Sequence, residues 1–239
     1  MWSEKFADLP LGEALTTNAQ DFVGRLRGMQ GEDLARELEQ FKRLDMRPGA
    51  GAGIDLADAF QDAGALDLID GWLNSADDDV VRTALAWSGN LAAEEPWLRE
   101  HVLPFLDRQD SVSPGVVAAA CRSLGQRGND WAREPLGAVL EGRALGGAPG
   151  APLESGASSA VHALARIGNP RDIPRMIGLI AAESDYATVY GIGYFGLGKL
   201  TGVPYDERHD GAWWLDWWEK NRGRMPAEVG ALDVPQFVK

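Results

Sequence analysis

A single cysteine, three histidines and no apolar run as long as 18 residues are what this chain of 239 residues has least of. With only Cys121 present, no disulfide forms within the chain, and a lone thiol inside the apolar stripe Val116 to Leu124 reads as a small buried hydrophobe. The histidines His101, His162 and His209 lie 61 and 47 residues apart. That spacing matches no metal-ligand pattern, so neither metal nor cofactor is expected. No run is long enough to span a bilayer, and Met1 to Asp8 carry charges where a signal peptide would carry its apolar core. The chain therefore reads as a soluble cytoplasmic protein without a membrane partner. Bases are scarce too: 23 Lys and Arg stand against 36 Asp and Glu, a net charge of −13. Residues 1–80 hold 17 acids and 7 bases, and the remainder holds 19 and 16. A field of that sign repels a polyanion, so nucleic acid is disfavoured, with room for a local basic groove only in the more balanced C-terminal part.

What the chain does have is a repeat. Leu85 to Asn90, Leu124 to Asn129 and Leu164 to Asn169 each read LxxxGN at spacings of 39 and 40, and Pro96, Pro135 and Pro174 follow at 39 and 39. A period near 40 residues is that of stacked helical pairs. In the first pair, Asp77 to Asp79 suit a helix N-terminus, Val80, Val81, Ala84, Leu85 and Leu91 form one stripe, and Gly89 suits a helix stop. Its second helix is expected from about Pro96 to Leu106, bent at its end by Pro104. The next pair starts at Ser113-Pro114, turns at Gly128-Asn129 and continues from Asp130 to Leu140. Gly142 to Leu153 holds too much Gly and Pro for a regular element and reads as a loop insertion. A third pair runs from Ser158 to Gly168 and from Pro170 to Ala182, and a fourth from Tyr186 to Leu200 and from Asp210 to Arg222. Upstream, Glu32 to Leu44 and Ile54 to Leu73 read as degenerate pairs, with Gly49 lying 40 residues before Gly89. The expected fold class is all-α, an α-solenoid of four to six antiparallel helix pairs. An acidic helical region occupies 1–76, the repeat array 77–222, and an extended tail 223–239.

The segment Val161-His-Ala-Leu-Ala-Arg-Ile, followed by Gly168-Asn-Pro-Arg-Asp-Ile-Pro-Arg-Met-Ile, resembles HEAT and HEAT-like repeats. Lys199-Leu-Thr-Gly-Val-Pro-Tyr-Asp, followed by Trp214-Leu-Asp-Trp217-Trp218, is similar to the closing unit of bacterial HEAT-repeat proteins. The resemblance covers roughly residues 77 to 222. It implies an α-solenoid with a concave, protein-binding surface, and it carries no catalytic residue over because the shared positions are packing positions.

Several motifs invite a chemical reading. Gly191 to Gly196 spells GxGxxG and Gly193 to Lys199 spells GxxxxGK. No strand-like apolar run precedes them, and Leu200 stands where a phosphate loop needs Ser or Thr. The glycines read instead as close-packing positions against the Trp-rich helix. On that helix Trp214, Trp217 and Trp218 share an arc facing the core, with Trp213 at its edge. The cluster Asp206 to Asp210 reads as a polar loop in which Asp210 caps the next helix. Function is therefore sought where the copies differ. The expectation is a non-enzymatic scaffold or adaptor that binds another protein on the groove lined by second helices. Trp97, Arg99, Trp131, Arg133, Arg171, Arg175 and Trp213 are its exposed contact residues, since Trp and Arg are enriched at binding hot spots. The alternatives are an inhibitor or immunity-type protein whose acidic face blocks a basic partner, or a HEAT-like enzyme of the DNA glycosylase or chromophore lyase kind.

Overall fold

The computed structural model describes residues 11–30, 33–34, 36–38, 56–91, 94–126, 129–145, 155–182, 186–204 and 209–237, and among them every regular element is a helix. No helix of the described residues is long and apolar enough to cross a membrane. The chain separates into two compact units, residues 1–104 and 105–239.

The first unit contains α1 (Leu11–Leu26), α2 (Leu56–Asp62), α3 (Ala65–Leu73), α4 (Asp78–Asn90) and α5 (Glu95–His101). Helix α1 packs on α2, and α3 packs on α4. Its core is aromatic: the Trp87 ring lies 6.4 Å from Phe22, 6.0 Å from Phe60 and 5.7 Å from Trp72. An indole buries on the order of 200 Å², so this one side chain closes three helices together. Asp77 caps α4, its Oδ1 accepting the Asp79 N–H at 2.8 Å, as the acids at that end foretell. Gly89 is not the expected stop. The helix runs through it to Asn90, and Leu91, wholly buried, donates its N–H to the Trp87 carbonyl at 2.7 Å. Burial of Leu91 holds this end in place, and no left-handed residue is needed. The expected helix from Pro96 to Leu106 is broken: α5 ends at His101, and Leu103 N–H reaches back to the Leu98 carbonyl. A separate turn, Pro104–Asp107, follows because proline can neither donate to nor pack against the preceding turn. Upstream, the described residues from Leu56 to Leu73 hold two helices divided at Gly64, whose φ is 79°. Leu44, Gly49 and Ile54 lie outside the described residues.

The second unit contains α6 (Pro114–Gly125), α7 (Arg133–Leu145), α8 (Ser155–Ile167), α9 (Ile173–Ala182), α10 (Tyr186–Gly191) and α11 (Gly211–Asn221). Helix α10 passes without a break into a π-helical stretch, Ile192–Leu197, and a final turn, Gly198–Thr201. Equivalent helices lie side by side. Among first helices, α6 packs on α8 and α8 on the π-helical stretch; among second helices, α7 packs on α9 and α9 on α11. The apolar stripe of α6, with Val116, Val117, Ala120, Cys121 and Leu124 at 1% exposure or less, shows why. Small residues set the distances. A Cβ on Gly125 would fall 2.4 Å from Ala163 Cβ, and one on Gly211 would fall 2.6 Å from Ala181 Cα. Gly196 does not face the Trp-rich helix as expected; its approach is to Met176 Sδ and Val161 Cγ1.

The turn chemistry of the third pair follows the sequence. Gly168 takes φ 75°, which glycine adopts without a Cβ clash, and the Asn169 side chain accepts the Arg171 N–H at 3.0 Å. Asp210 likewise accepts the Trp213 N–H at 2.9 Å. Gly128 lies outside the described residues. The expected loop from Gly142 begins later, since α7 continues to Leu145, with Arg143 donating to the Gln109 carbonyl at 2.6 Å. Residues 146–153 lie outside the described residues. Trp214 and Trp218 are fully buried on α11, Trp217 is half-buried, and Trp213 is exposed. After a turn at Ala227–Gly230 the tail is extended, and it lies on α9: a Cβ on Gly178 would meet the Pro235 carbonyl at 2.3 Å and the Phe237 ring at 3.1 Å. Arg222 secures it by donating to the carbonyls of Gly230 at 2.8 Å and Leu232 at 3.3 Å.

Candidate binding groove

Along each first helix, the positions two before and two after the repeat leucine are four residues apart and share a face. Around Leu124 they are Arg122 and Gln126, and around Leu164 they are His162 and Arg166. Around Leu197, buried in the last first helix, they are Phe195 and Lys199. All six line one cavity of about 990 Å³ within the second unit. Gly125, Ala163 and Ala165 line it as small residues, and at Gly125 the approach of α6 to α8 is too close for a side chain, since a Cβ there would fall 2.4 Å from Ala163 Cβ. Long side chains on either side form the walls.

Neutral partners on the neighbouring helix hold two of these cations in place. Arg122 Nη1 donates to Ser159 Oγ at 3.1 Å, and Arg166 donates to Gln126 Oε1. These bonds join positions 37 and 40 residues apart, one repeat. Ser155 and Ser158 add hydroxyls, and no carboxylate is among the described lining residues. An aromatic row enters from the other side. Tyr190 and Tyr194, both exposed, stack at 5.4 Å, Tyr194 meets Phe195 edge-on at 4.8 Å, and Phe195 lies 4.4 Å from His162. The π-helical stretch contributes Tyr194 and Phe195 to this wall; such turns recur at functional sites. Burial, and then the charge of Arg166, push the His162 imidazole below its ordinary value. The groove therefore concentrates positive charge, hydroxyl donors and ring faces. Among the described residues no group of three His, Cys, Asp or Glu could hold a metal.

Of the seven residues singled out from sequence, Arg99, Arg171 and Trp213 are exposed as expected, and Trp97 and Trp131 are half-buried. Arg133, expected to be exposed, is buried. Its Nε and Nη2 donate to the two oxygens of Asp172 at 2.8 and 2.9 Å, across 39 residues, and Asp172 is fully buried. The Asp172 hydrogen bond raises the Arg133 guanidinium, while burial raises the Asp172 carboxyl against the pull of Arg133. Arg175 joins the same network: its Nη1 is 3.5 Å from Asp172, Nη2 is 2.6 Å from Glu134, and Nε is 2.8 Å from Glu141. Asn169 adds another bond one repeat long, to Asp130 at 2.5 Å. These arginines fasten one repeat to the next, which corrects the expectation of a free arginine surface on the second helices. Arg171 is exposed at the turn, and Trp131 is half-buried with its indole nitrogen buried. Trp213 stacks on His209 at 3.7 Å. In the first unit, Trp97 stacks on His101 at 4.5 Å, His101 Nδ1 is 2.9 Å from Asp70, and exposed Arg99 pairs with Glu95 at 2.8 Å.

The groove residues Arg122, His162, Arg166 and Lys199 escaped the sequence reading. For Arg122, His162 and Arg166 the signal is their place two positions either side of the leucine of the LxxxGN pattern. No protein-family model matches this chain, and no curated protein matches it at a significant level.

Proposed function

We propose that the chain is a non-enzymatic interaction module, an α-solenoid of HEAT-like repeats that binds another protein. Its binding surface is the groove of the first helices between residues 122 and 199. The observation that carries this reading is the convergence of one register pair from three successive helices on a single cavity. A repeat stack gives such a surface rigidity, so little conformational freedom is lost on binding. The side-by-side packing of equivalent helices, and hydrogen bonds joining positions 37 to 41 residues apart, support the solenoid arrangement. The second-helix face is the weaker choice of surface, because its arginines are committed to Asp172, Glu134 and Glu141 and the tail lies over Gly178.

The test is affinity capture from the native host with three baits: the native chain, Gln126→Glu/Arg166→Glu, and Trp97→Ala/Arg99→Ala. The expected result is a protein retained by the native chain and by the Trp97/Arg99 variant and lost from the groove variant. Equal recovery on all three baits, with each bait folded by circular dichroism, overturns the assignment of the groove.

A further inference from the structure

We infer that the groove takes an extended acidic segment of a partner protein, one that carries several carboxylates and an aromatic side chain. This inference rests on the groove being a protein-binding surface and names the chemistry of its occupant.

Charge complementarity is the first argument. In a chain of net charge −13, the lining set gathers Arg122, Arg166 and Lys199 and includes no described carboxylate. Cations collected in this way repel one another, and Arg122, Arg166 and Lys199 are all exposed. Their arrangement is one per helix, across the stack. A chain lying over α8 would therefore meet Arg122 on one side, Lys199 on the other and Arg166 beneath. Planar guanidiniums held by Ser159 and Gln126 are oriented in advance for bidentate carboxylate contacts.

Dimensions give the second argument. Ser155, Ser159, His162 and Arg166 share one stripe of α8, and eleven residues of helix rise about 16 Å. An extended strand at about 3.3 Å per residue covers that distance with about five residues. The row from Tyr190 through Tyr194 and Phe195 to His162 offers ring faces along the same edge, which fits an aromatic side chain placed among the acids.

Nucleic acid fits less well, although aromatic rows with cations do serve single strands. Three cations neutralise about three phosphates, and the remaining phosphates face the field of a chain at −13. A short segment with three or four carboxylates is matched nearly one for one and extends no further.

The experiment uses the full chain and fluorescence anisotropy in about 50 mM salt. The probe is a fluorescein-labelled hexapeptide of four glutamates and two phenylalanines; the comparisons are its glutamine-for-glutamate counterpart and a labelled oligothymidylate. The acidic peptide is expected to bind at least about tenfold more tightly than either. The variant Arg122→Gln/Arg166→Gln/Lys199→Gln is expected to weaken it by a similar factor, and Tyr194→Ala, which leaves every charge in place, by a few fold. Raising the salt to about 500 mM on the native chain should release the peptide, and this readout stands even where a variant does not fold. Equal binding of the glutamine peptide, tighter binding of the oligonucleotide, indifference to the triple substitution or indifference to salt each overturns the inference. If capture from the host depends on the groove while the acidic peptide fails to bind, the acidic class falls and the protein-binding reading stands. If capture ignores the groove, that reading falls as well.

Discussion

Substitution of Asp172 by alanine is expected to be the most damaging single polar change in the second unit. Asp172 is fully buried and receives two charge-assisted hydrogen bonds from Arg133, itself 9% exposed at the side chain. Removing the carboxylate leaves a buried guanidinium without its two short bonds and with only Asp130, 3.8 Å from its Nε, as a paired counter-charge, and Arg175 loses one of its three acidic neighbours. Breaking a buried pair from one side costs about 3–5 kcal/mol. With a urea slope of about 2 kcal/mol/M, that moves the midpoint down by about 1.5–2.5 M. Arg133→Met/Asp172→Leu removes both charges together and fills much of the same volume. It should recover to within about 1 kcal/mol of the native chain, because an apolar pair avoids the desolvation that a buried bridge must offset. The measurement is urea unfolding by circular dichroism, combined with native-state hydrogen exchange of α7 and α9 amides, since a chain of two compact units need not unfold in one step. A cost below about 1 kcal/mol for Asp172→Ala, or a double variant as unstable as the single one, would refute the claim that this bridge couples the repeats.

Gly125→Val should lower stability by about 1–3 kcal/mol, because its Cβ would sit 2.4 Å from Ala163 Cβ and 2.6 Å from Ala163 Cα, where only backbone movement makes room. An unchanged thermal midpoint would show that α6 and α8 are not in close contact there. Asp210→Ala removes the side-chain acceptor of the Trp213 N–H and should cost about 1 kcal/mol, while Asp210→Asn retains most of it; chemical denaturation of the pair decides. His162 is depressed by burial and by Arg166, with Arg122, Lys199 and Tyr194 also lining its cavity. A depressed imidazole favours the fold above its ordinary value of 6.5, and that contribution is lost as pH falls through the folded value. Acidification from neutral pH should therefore destabilise the native chain more than His162→Gln. An NMR titration should also show the imidazole moving part of the way back up in Arg166→Gln, and a pKa indifferent to that change would contradict the assignment.

The helices were legible because their cause is local. Acids before Val80, the stripe Val116 to Leu124, the glycine of Gly168 and the caps Asn169 and Asp210 act within one or two turns, and sequence records them directly. The Arg133–Asp172 pair depends on two residues 39 positions apart meeting in a dry interior. Nothing at either position marks it as internal, so from sequence its arginine reads as a surface group. Gly89 misled for a related reason. Glycine permits a left-handed stop without requiring one, and the burial of Leu91 settled that helix end. The groove was hidden by its reliance on what surrounds each helix.

That dependence explains why one register position has opposite fates in the two units. Two residues past the repeat leucine stand Trp87 in the first unit and Gln126 and Arg166 in the second. Trp87 is buried because Phe22 of α1 and Phe60 of α2 lie against it, and Thr83, two before the leucine, is buried as well. On α8, both corresponding residues, His162 and Arg166, are exposed. The repeat leucines are buried in both units, while the flanking pair takes its chemistry from whether another helix covers that face. An indole suits the covered face, since burying it contributes about 200 Å² of contact. A cation suits the open one, since its charge stays hydrated there. On the open face, side chains such as His162 and Arg166 can therefore change without disturbing the packing of the buried leucine between them.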